Sequence, residues 1–239
     1  MSKEEEILEN NQAMPEAEEG NQELNDIKSR SFKYVGVLAV ILALAWYFYN
    51  DTEQSQIDSV EASILMERIM PYFEKGDYLK ALEGDNSIMI NNEPLMGLRE
   101  VSEKFSGSET SMLAAMYSGN AYKYMGDVLA AKTWYEKAVN SSSKIVKIGA
   151  LTGLAYCQEA EGDYGSAAEN YKKASKLVDS DELINKYGYF SGLCLEKAGK
   201  VEKAKAQYLA LINNDTQERE SEFITKAKQG LVGLGTKIE

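Results

Sequence analysis

The sequence contains no histidine, and its 239 residues include only two cysteines and three prolines. Without histidine, the chain lacks the side chain that most often serves as general base, metal ligand and pH switch near neutrality. The cysteines, Cys157 and Cys194, are too far apart in sequence for a C-x-x-C metal or redox motif. We therefore expect no enzyme activity, no metal site, no cofactor and no small-molecule substrate.

Positive charge is also scarce, because 38 acidic residues outnumber 26 basic ones and give a formal net charge of -12. Nucleic-acid binding requires clustered Lys and Arg, so the composition argues against a DNA or RNA partner. The low proline content and the many Ala, Glu and Lys residues favour helix, because these side chains lose little freedom on entering one. An all-α fold is the expectation.

One long apolar run stands out near the N-terminus, where residues 34–49 read YVGVLAVILALAWYFY without a charge. With two flanking residues the run covers 32–49, which as a helix is about 27 Å long and close to the minimum for crossing a bilayer. The sequence therefore predicts a single transmembrane helix over 32–49. Its predicted anchor residues, basic and aromatic side chains at the two ends, are Lys33, Tyr34, Trp46, Tyr47, Phe48 and Tyr49.

The flanking charges predict the orientation of this helix. Lys28, Arg30 and Lys33 precede the apolar run, and acidic residues follow its aromatic end. The positive-inside rule then places the N-terminus in the cytoplasm and residues 50–239 across the membrane. Residues 1–31 are acidic and poor in large apolar groups, so we expect a disordered cytoplasmic tail.

Two other interpretations of the apolar run are less favoured. A signal peptide cleaved after Ala45 would use the small residues of Ala43-Leu44-Ala45, but the preceding segment is unusually long and acidic. A buried helix of a soluble domain would normally have a polar face, and this run has none.

Beyond the apolar run, a pattern repeats at intervals of 36 and 37 residues. The segments 119–139, 155–175 and 192–212 align without gaps. The aligned positions are Gly126, Gly162 and Gly199, then Ala131, Ala167 and Ala204, then Tyr135, Tyr171 and Tyr208. This pattern resembles the tetratricopeptide repeat, in which small Ala lets paired helices approach and Tyr fills the space between them. It predicts a solenoid of helical hairpins in domain 111–239, with repeats at about 112–147, 148–184 and 185–216 and a capping helix at 217–235.

The ends of the repeat helices also follow from the pattern. Each aligned glycine is predicted to end a first helix in a left-handed turn, and Asp127 and Asp163 are predicted to cap the following helices. Lys200 takes the equivalent place in the third repeat, so we expect a weaker helix start there. Cys157 and Cys194 occupy equivalent positions about 10 Å apart, beyond disulfide reach, and are predicted to be free thiols.

Residues 50–110 are predicted to form membrane-proximal helices with a degenerate repeat. Gly76-Asp77-Tyr78 and Ala81 resemble the repeat motif, but the next aligned glycine is 50 residues away. Apolar spacing predicts a helix at about 55–75. A second helix is predicted at about 93–105, with Asn92 as its cap and Pro94 in its first turn.

The order of tail, apolar run and repeats resembles the YfgM-like family of ancillary SecYEG translocon subunits. The resemblance covers nearly the full chain, including QIDSVEASILMERIMPYFEKGDYLKALEGD and LREVSEKFSGSETSMLAAMYSGNAYKYMGD. It implies a bacterial inner-membrane protein with a periplasmic repeat domain. The implied partners are the SecYEG translocon, a periplasmic membrane-bound chaperone and emerging secreted chains.

The predicted function is thus a noncatalytic, membrane-anchored scaffold for protein–protein interactions at the translocon; the alternative is an envelope scaffold for outer-membrane assembly or cell division. Tetratricopeptide arrays generally bind peptides in a groove lined by the first helices. A carboxylate clamp is not favoured, because only Asn120 and Lys123 resemble one. The groove candidates, each with packing between repeats as its alternative role, are Met116, Asn120, Lys123, Tyr124, Thr152, Tyr156, Glu159, Tyr189, Leu193, Glu196 and Lys197.

Overall fold

A computed structural model describes residues 38–46, 58–214 and 221–236 of the chain. The chain divides into two units, Met1–Ile57 and Asp58–Glu239. In the first unit, residues 38–46 form helix α1 with exposed side chains. No helix within the described residues is both long and apolar enough to span a bilayer.

Most of the predicted N-terminal features fall outside the described residues. These are the tail at 1–31 and both ends of the predicted 32–49 helix, which include Lys33, Tyr34, Tyr47, Phe48 and Tyr49. Trp46 belongs to α1 and is 70% exposed. The membrane anchor therefore stays a prediction.

The second unit is mostly helical. Its elements in chain order are α2 (58–74), α3 (Tyr78–Glu83), β1 (Gly84–Ile90), β2 (Glu93–Met96), α4 (Leu98–Lys104), α5 (Glu109–Met125), α6 (Val128–Ala138), α7 (Lys144–Ala160), α8 (Tyr164–Ser175), α9 (Asp181–Lys197), α10 (Val201–Asn214) and α11 (Glu222–Gly233). The all-α expectation needs one correction, because β1 and β2 form a two-stranded antiparallel hairpin.

The hairpin replaces the start of the helix predicted at about 93–105. Asn91 and Asn92 have left-handed φ angles of 51° and 68°, which Asn tolerates better than most residues. Positive φ at both central residues is what a two-residue hairpin turn requires. Pro94 therefore lies in a two-stranded sheet rather than a helix, and α4 begins five residues later than the predicted helix.

Three helical pairs follow: α5 with α6, α7 with α8, and α9 with α10. The predicted repeat boundaries at 112, 148 and 185 lie within the first helix of each pair. The glycines between paired helices, Gly126, Gly162 and Gly199, have φ angles of 84°, 79° and 71°, which confirms the predicted left-handed turns. Asp127 and Asp163 cap α6 and α8 as predicted, each through Oδ1 accepting from a backbone N–H.

Large side chains packed on glycine hold these pairs together. Tyr135 of α6 is fully buried. A Cβ atom on Gly119 would lie 2.7 Å from its ring, and one on Gly153 would lie 2.3 Å away. Tyr208 of α10 is held in the same way between Gly192 and Gly230. The missing side chains thus let the helices on either side approach each tyrosine closely.

The degenerate repeat is a full helical pair whose second helix is interrupted. Gly76 has a φ of 80°, and Asp77 caps α3 as the other aspartates cap their helices. The hairpin comprises 84–96, and without these 13 residues the spacing from Gly76 to Gly126 falls from 50 to 37. That value matches the spacing between the last two repeat glycines, so α3 and α4 together correspond to the second helix of a pair.

Burial supports this assignment. With the hairpin removed, Leu98 and Val101 follow Ala81 at the positions that Tyr135 and Ala138 occupy after Ala131. All of these side chains are fully buried. Both α3 and α4 contact α5, as α6 contacts α7 in the next pair. The apolar pattern of the second helix therefore resumes in register after the hairpin.

Asp85 fixes the base of the hairpin. Its Oδ2 accepts a hydrogen bond of 2.7 Å from the Tyr72 hydroxyl and forms an ion pair with Lys80 at 3.3 Å, while Oδ1 accepts from Ser87. The hydrogen bonds from Ser87 and Tyr72 hold the pKa of this carboxyl well below its usual value. The strand is thereby tied back to α2 and α3.

Helix α11 closes the C-terminal end of the array. Ile224, Ala227 and Leu231 lie on one face of the helix and are fully or almost fully buried against α9 and α10. Cys157 and Cys194 are free, as predicted, and both are buried. Burial raises the pKa of the two thiols to about 11 and about 12, so both stay protonated at neutral pH.

Candidate functional site

A hollow of about 500 Å³, here called the groove, is lined mainly by the first helices of the three pairs. These helices present their side chains at spacings of three and four residues, which places them on one face of each helix. The lining residues are Asn120, Lys123 and Tyr124 of α5, Gly149, Thr152, Gly153 and Tyr156 of α7, Lys186, Tyr187 and Phe190 of α9, and Tyr171 of α8. Five of the predicted candidates line it: Asn120, Lys123, Tyr124, Thr152 and Tyr156.

Met116 is a core residue rather than a groove residue, which corrects its selection from sequence. Its side chain is 7% exposed and packs in a cluster with Trp134 and Val146. A Cβ atom on Gly149 would lie 2.4 Å from the Met116 sulfur. The missing side chain at Gly149 lets Met116 pack between α5 and α7.

Three charged candidates make structural contacts instead of lining the groove. Glu159 accepts a hydrogen bond of 2.9 Å from the Tyr171 hydroxyl, and Glu196 accepts one of 3.1 Å from Tyr208. Lys197 pairs with Glu159 at 3.3 Å. Glu159 and Glu196 thus each accept the hydrogen bond of a buried tyrosine hydroxyl.

Two further candidates lie closer to the C-terminal end. The Tyr189 ring stacks on Tyr208 with centroids 6.0 Å apart and also contacts Phe223 of α11. Leu193 is half-buried and does not line the groove. The alignment placed both on the groove face, whereas Tyr189 takes part in closing the array.

Sequence reasoning missed Gly149, Gly153, Tyr171, Lys186, Tyr187 and Phe190 of the lining. The groove runs obliquely to the repeats: it uses the C-terminal half of α5 but residues near the middle of α7 and of α9. Successive repeats in a solenoid are rotated relative to one another, so equivalent sequence positions do not line one straight channel. Moving the predicted positions toward the N-terminus by about one helical turn per repeat would have brought them close to the α9 residues of the lining.

The polar groups of the groove are mainly hydrogen-bond donors. The Tyr135 hydroxyl donates to Asn120 Oδ1 over 2.7 Å, which leaves the Asn120 amide N–H₂ available to a ligand. Lys123 Nζ lies 4.7 Å from the ring centroid of Tyr124 and 5.8 Å from that of Tyr156. Neither Lys123 nor Lys186 forms an ion pair within the described part of the chain.

Two of the groove hydroxyls, those of Tyr171 and Tyr187, stay neutral at physiological pH. Burial raises the pKa of Tyr187, and burial together with the hydrogen bond to Glu159 raises that of Tyr171. Aromatic rings with neutral hydroxyls offer apolar contact and hydrogen bonding to the same ligand. Among the described residues, no group of three or more Asp, Glu or Cys side chains could hold a metal ion.

Comparison with known proteins identifies one family feature. Residues 118–144 match the family model described as Tetratricopeptide repeat, and this stretch covers the end of α5, all of α6 and the loop to α7. No curated protein is significantly similar to the chain in sequence. Neither comparison identifies the YfgM-like family, so that resemblance stays a prediction. The chain contains a tetratricopeptide repeat within a mostly helical array, an architecture that typically mediates protein–protein interactions.

Proposed function

We propose that this chain is a noncatalytic scaffold that binds extended polypeptide segments of partner proteins in the groove. The observation that carries this proposal is the groove itself, because five aromatic rings and two unpaired lysines line one hollow of about 500 Å³. Tyr rings provide large contact area with little entropy to lose, and they are enriched where proteins bind each other. The donors of Asn120 and the lysines suit the carbonyl and carboxylate oxygens of a peptide.

The proposal includes a location and a set of partners. The apolar run at 32–49 would hold the repeats at the bacterial inner membrane, with residues 1–31 in the cytoplasm and the repeats in the periplasm. The resemblance described above supports the SecYEG translocon, a membrane-bound chaperone and emerging chains as partners. The proposed orientation is supported by the charges around the apolar run. The proposed partners are supported by the order of segments in the sequence.

Crosslinking in intact bacterial membranes tests the proposal. A photo-crosslinking residue at position 156, in the middle of the groove, should capture translocon subunits or exported chains. Capture of outer-membrane assembly or division proteins instead would favour the alternative envelope scaffold. Extraction of the full chain by alkaline carbonate would contradict the membrane anchor.

A matched pair of variants separates the groove from the rest of the surface. Tyr124→Ser with Tyr156→Ser removes two exposed rings from the groove, and we expect partner affinity to fall at least about tenfold, as for the loss of interface hot spots. Leu129→Ser is the control, because Leu129 is 72% exposed and lies outside the groove. Equal affinity for both variants would contradict binding in the groove.

A further inference from the structure

Helix α9 carries a second set of hollows on the side away from the groove. One hollow of about 280 Å³ is lined by residues that include Asn185 and Gln207, and one of about 420 Å³ is lined by residues that include Ser191 and Gln207. Both also share Ala210 of α10, so the two hollows lie next to each other along α9. They form what is here called the α9 cleft, bordered by α8 and α10.

The floor of the α9 cleft holds two buried polar groups without a partner. Asn185 is 6% exposed and Ser191 is 1% exposed. Asn185 Nδ2 and Ser191 Oγ are the buried side-chain polar atoms in the described part of the chain that make no hydrogen bond. A buried group left unpaired costs about 1–3 kcal/mol, so such groups normally have a ligand or a water as partner. Both of these atoms lie in the one cleft.

The free hydrogen-bonding capacity of the cleft consists mainly of donors. The Asn185 amide nitrogen can only donate, and the Ser191 hydroxyl can donate and accept. Gln207 Nε2 donates to the Gly188 carbonyl over 3.5 Å, which is a long and weak hydrogen bond. A ligand that satisfies this floor must therefore present acceptor oxygens.

The rim of the cleft narrows the class of ligand. It carries Lys172 and Lys203 with Glu169 and Asp181, two charges of each sign. None of the four forms an ion pair with a described residue. An anionic ligand would be attracted by the two lysines and repelled by the two carboxylates. A polymer fits both the floor and the rim if its backbone is neutral and rich in hydrogen-bond acceptors and its side chains carry charges of either sign.

We propose that the α9 cleft is a second polypeptide-binding site, in which Asn185 and Ser191 donate hydrogen bonds to backbone carbonyls of a bound segment. The two residues are about 9 Å apart along the helix, roughly the length of three extended residues. This site lies beyond the groove of the proposed function and extends it, because a chain bound in the groove and one bound in the cleft would contact opposite sides of α9.

Photo-crosslinking on the full-length chain tests the cleft. The probe is a permanently unfolded polypeptide with carboxymethylated cysteines, and p-benzoylphenylalanine is placed in turn at positions 210, 209 and 156. Ala210 lines the cleft, Leu209 is its exposed neighbour outside the cleft, and Tyr156 lines the groove. We expect crosslinking from position 210 to exceed that from position 209 at least about fivefold.

The double variant Asn185→Leu with Ser191→Ala then removes the two unpaired polar groups. Because it replaces unsatisfied polar atoms by apolar ones of similar size, the melting temperature should stay the same or rise. Crosslinking from position 210 should fall at least about fivefold, while crosslinking from position 156 stays unchanged and reports a folded array.

The outcomes separate the two proposals. Equal crosslinking from positions 210 and 209, or crosslinking at 210 that the double variant leaves unchanged, would mean that water alone fills the cleft and would overturn this inference. Loss of crosslinking at both 210 and 156 in the double variant would also contradict it, since the effect would then be on folding. Crosslinking absent from position 156 of the unmodified array would instead count against the groove.

Discussion

At the residue scale, Glu109 connects one helical pair to the next. Its carboxylate accepts hydrogen bonds from the backbone N–H groups of Ser142 at 2.8 Å and Ser143 at 3.2 Å, and from the hydroxyls of Ser141 and Ser142. Ser143 precedes α7 and makes no capping bond with its own side chain. A carboxylate at the start of α5 therefore organises the start of α7, 34 residues later.

The hydrogen bonds from Ser141 and Ser142 lower the pKa of Glu109 from 4.5 to about 2. Because the pKa is depressed in the folded state, this stabilisation is present above pH 4.5 and is lost as the pH falls toward 2. Glu109→Gln should lower the free energy of unfolding at pH 7 by about 1 kcal/mol, as for a lost helix cap. Urea unfolding from pH 7 to pH 3 measures this, and the variant should lose less stability over that range than the unmodified chain.

The control for Glu109 is Glu136→Gln. Glu136 is exposed on α6, and its carboxylate makes no hydrogen bond with a described residue. Its unfolding curve should match that of the unmodified chain at both ends of the pH range. A pH dependence shared by both variants would show that Glu109 is not the group that titrates.

Gly153 offers a second test at the residue scale. Alanine is the better helix former by about 1 kcal/mol, so helix propensity alone predicts that Gly153→Ala stabilises α7. Its Cβ atom would however lie 2.3 Å from the buried Tyr135 ring, and overpacking typically costs about 1–3 kcal/mol. We expect the melting temperature to fall.

Gly233→Ala is the matched control for this substitution. Gly233 lies at the end of α11, and nothing is within 4 Å of a Cβ atom built there. Thermal unfolding of this variant should be unchanged or shifted slightly upward. If the two alanine variants behaved alike, close packing on Tyr135 would not be the reason for the glycine.

At the scale of elements, the sequence predicts regular helices well and the interruption of one poorly. Gly126, Asp127 and their equivalents mark the turns because left-handed φ and capping are local properties. Asn92 and Pro94 are equally compatible with a helix start and with a hairpin turn. The choice between helix start and hairpin depends on the burial of Leu98 in register with Ala81. This burial pattern extends across the inserted segment, so no short stretch of sequence contains it.

Deletion of 84–96 tests whether α3 and α4 are one helix. With Gly97→Ala to restore helix propensity, the shortened chain should fold with at least its original helicity, since Leu98 and Val101 return to the buried face. The measurements are circular dichroism at 222 nm and the free energy of unfolding.

The control for this deletion removes 84–95 and leaves one residue more. That single residue rotates Leu98 and Val101 by about 100° around the helix. Each would lose about 1.5–3 kcal/mol of burial, so the control should be less stable than the in-register deletion by about 3 kcal/mol or more. Similar stability for both deletions would mean that the helix does not continue across the hairpin.

The kinds of side chain that line the groove could be predicted from the sequence, but their positions along the later helices could not. Asn120, Lys123 and Tyr156 follow from the helical face that aligned repeats share. Lys186 and Phe190 do not, because their place in the groove depends on the rotation between repeats. That rotation depends on packing between successive pairs, such as Tyr135 of α6 against Gly153 of α7, and is not visible in an alignment.

At the scale of the whole array, contacts among the described helices run between neighbours in the chain or between one pair and the next. Stability in such an array is roughly a sum over repeats and their interfaces, so damage at one end should remain near that end. The terminal helix α11 is the place to test this.

Leu231→Ala removes a fully buried side chain of α11 and should cost about 2–5 kcal/mol. Hydrogen exchange should accelerate in α9, α10 and α11 far more than in α3, α4 and α5. Val232→Ala is the control, because Val232 is 61% exposed and its loss should change exchange little anywhere. Uniform acceleration along the chain would indicate that the array unfolds as a single cooperative unit.

The hairpin also marks a position where this molecule could accept an insertion. Gly84 pairs with Met96, and a Cβ atom on Gly97 would touch the Leu82 carbonyl, so the chain leaves the helix and returns to it at almost the same point. The length of the loop therefore does not affect the pitch of the array. This position can accept a longer segment, or a whole inserted domain, while every helix on either side keeps its neighbours.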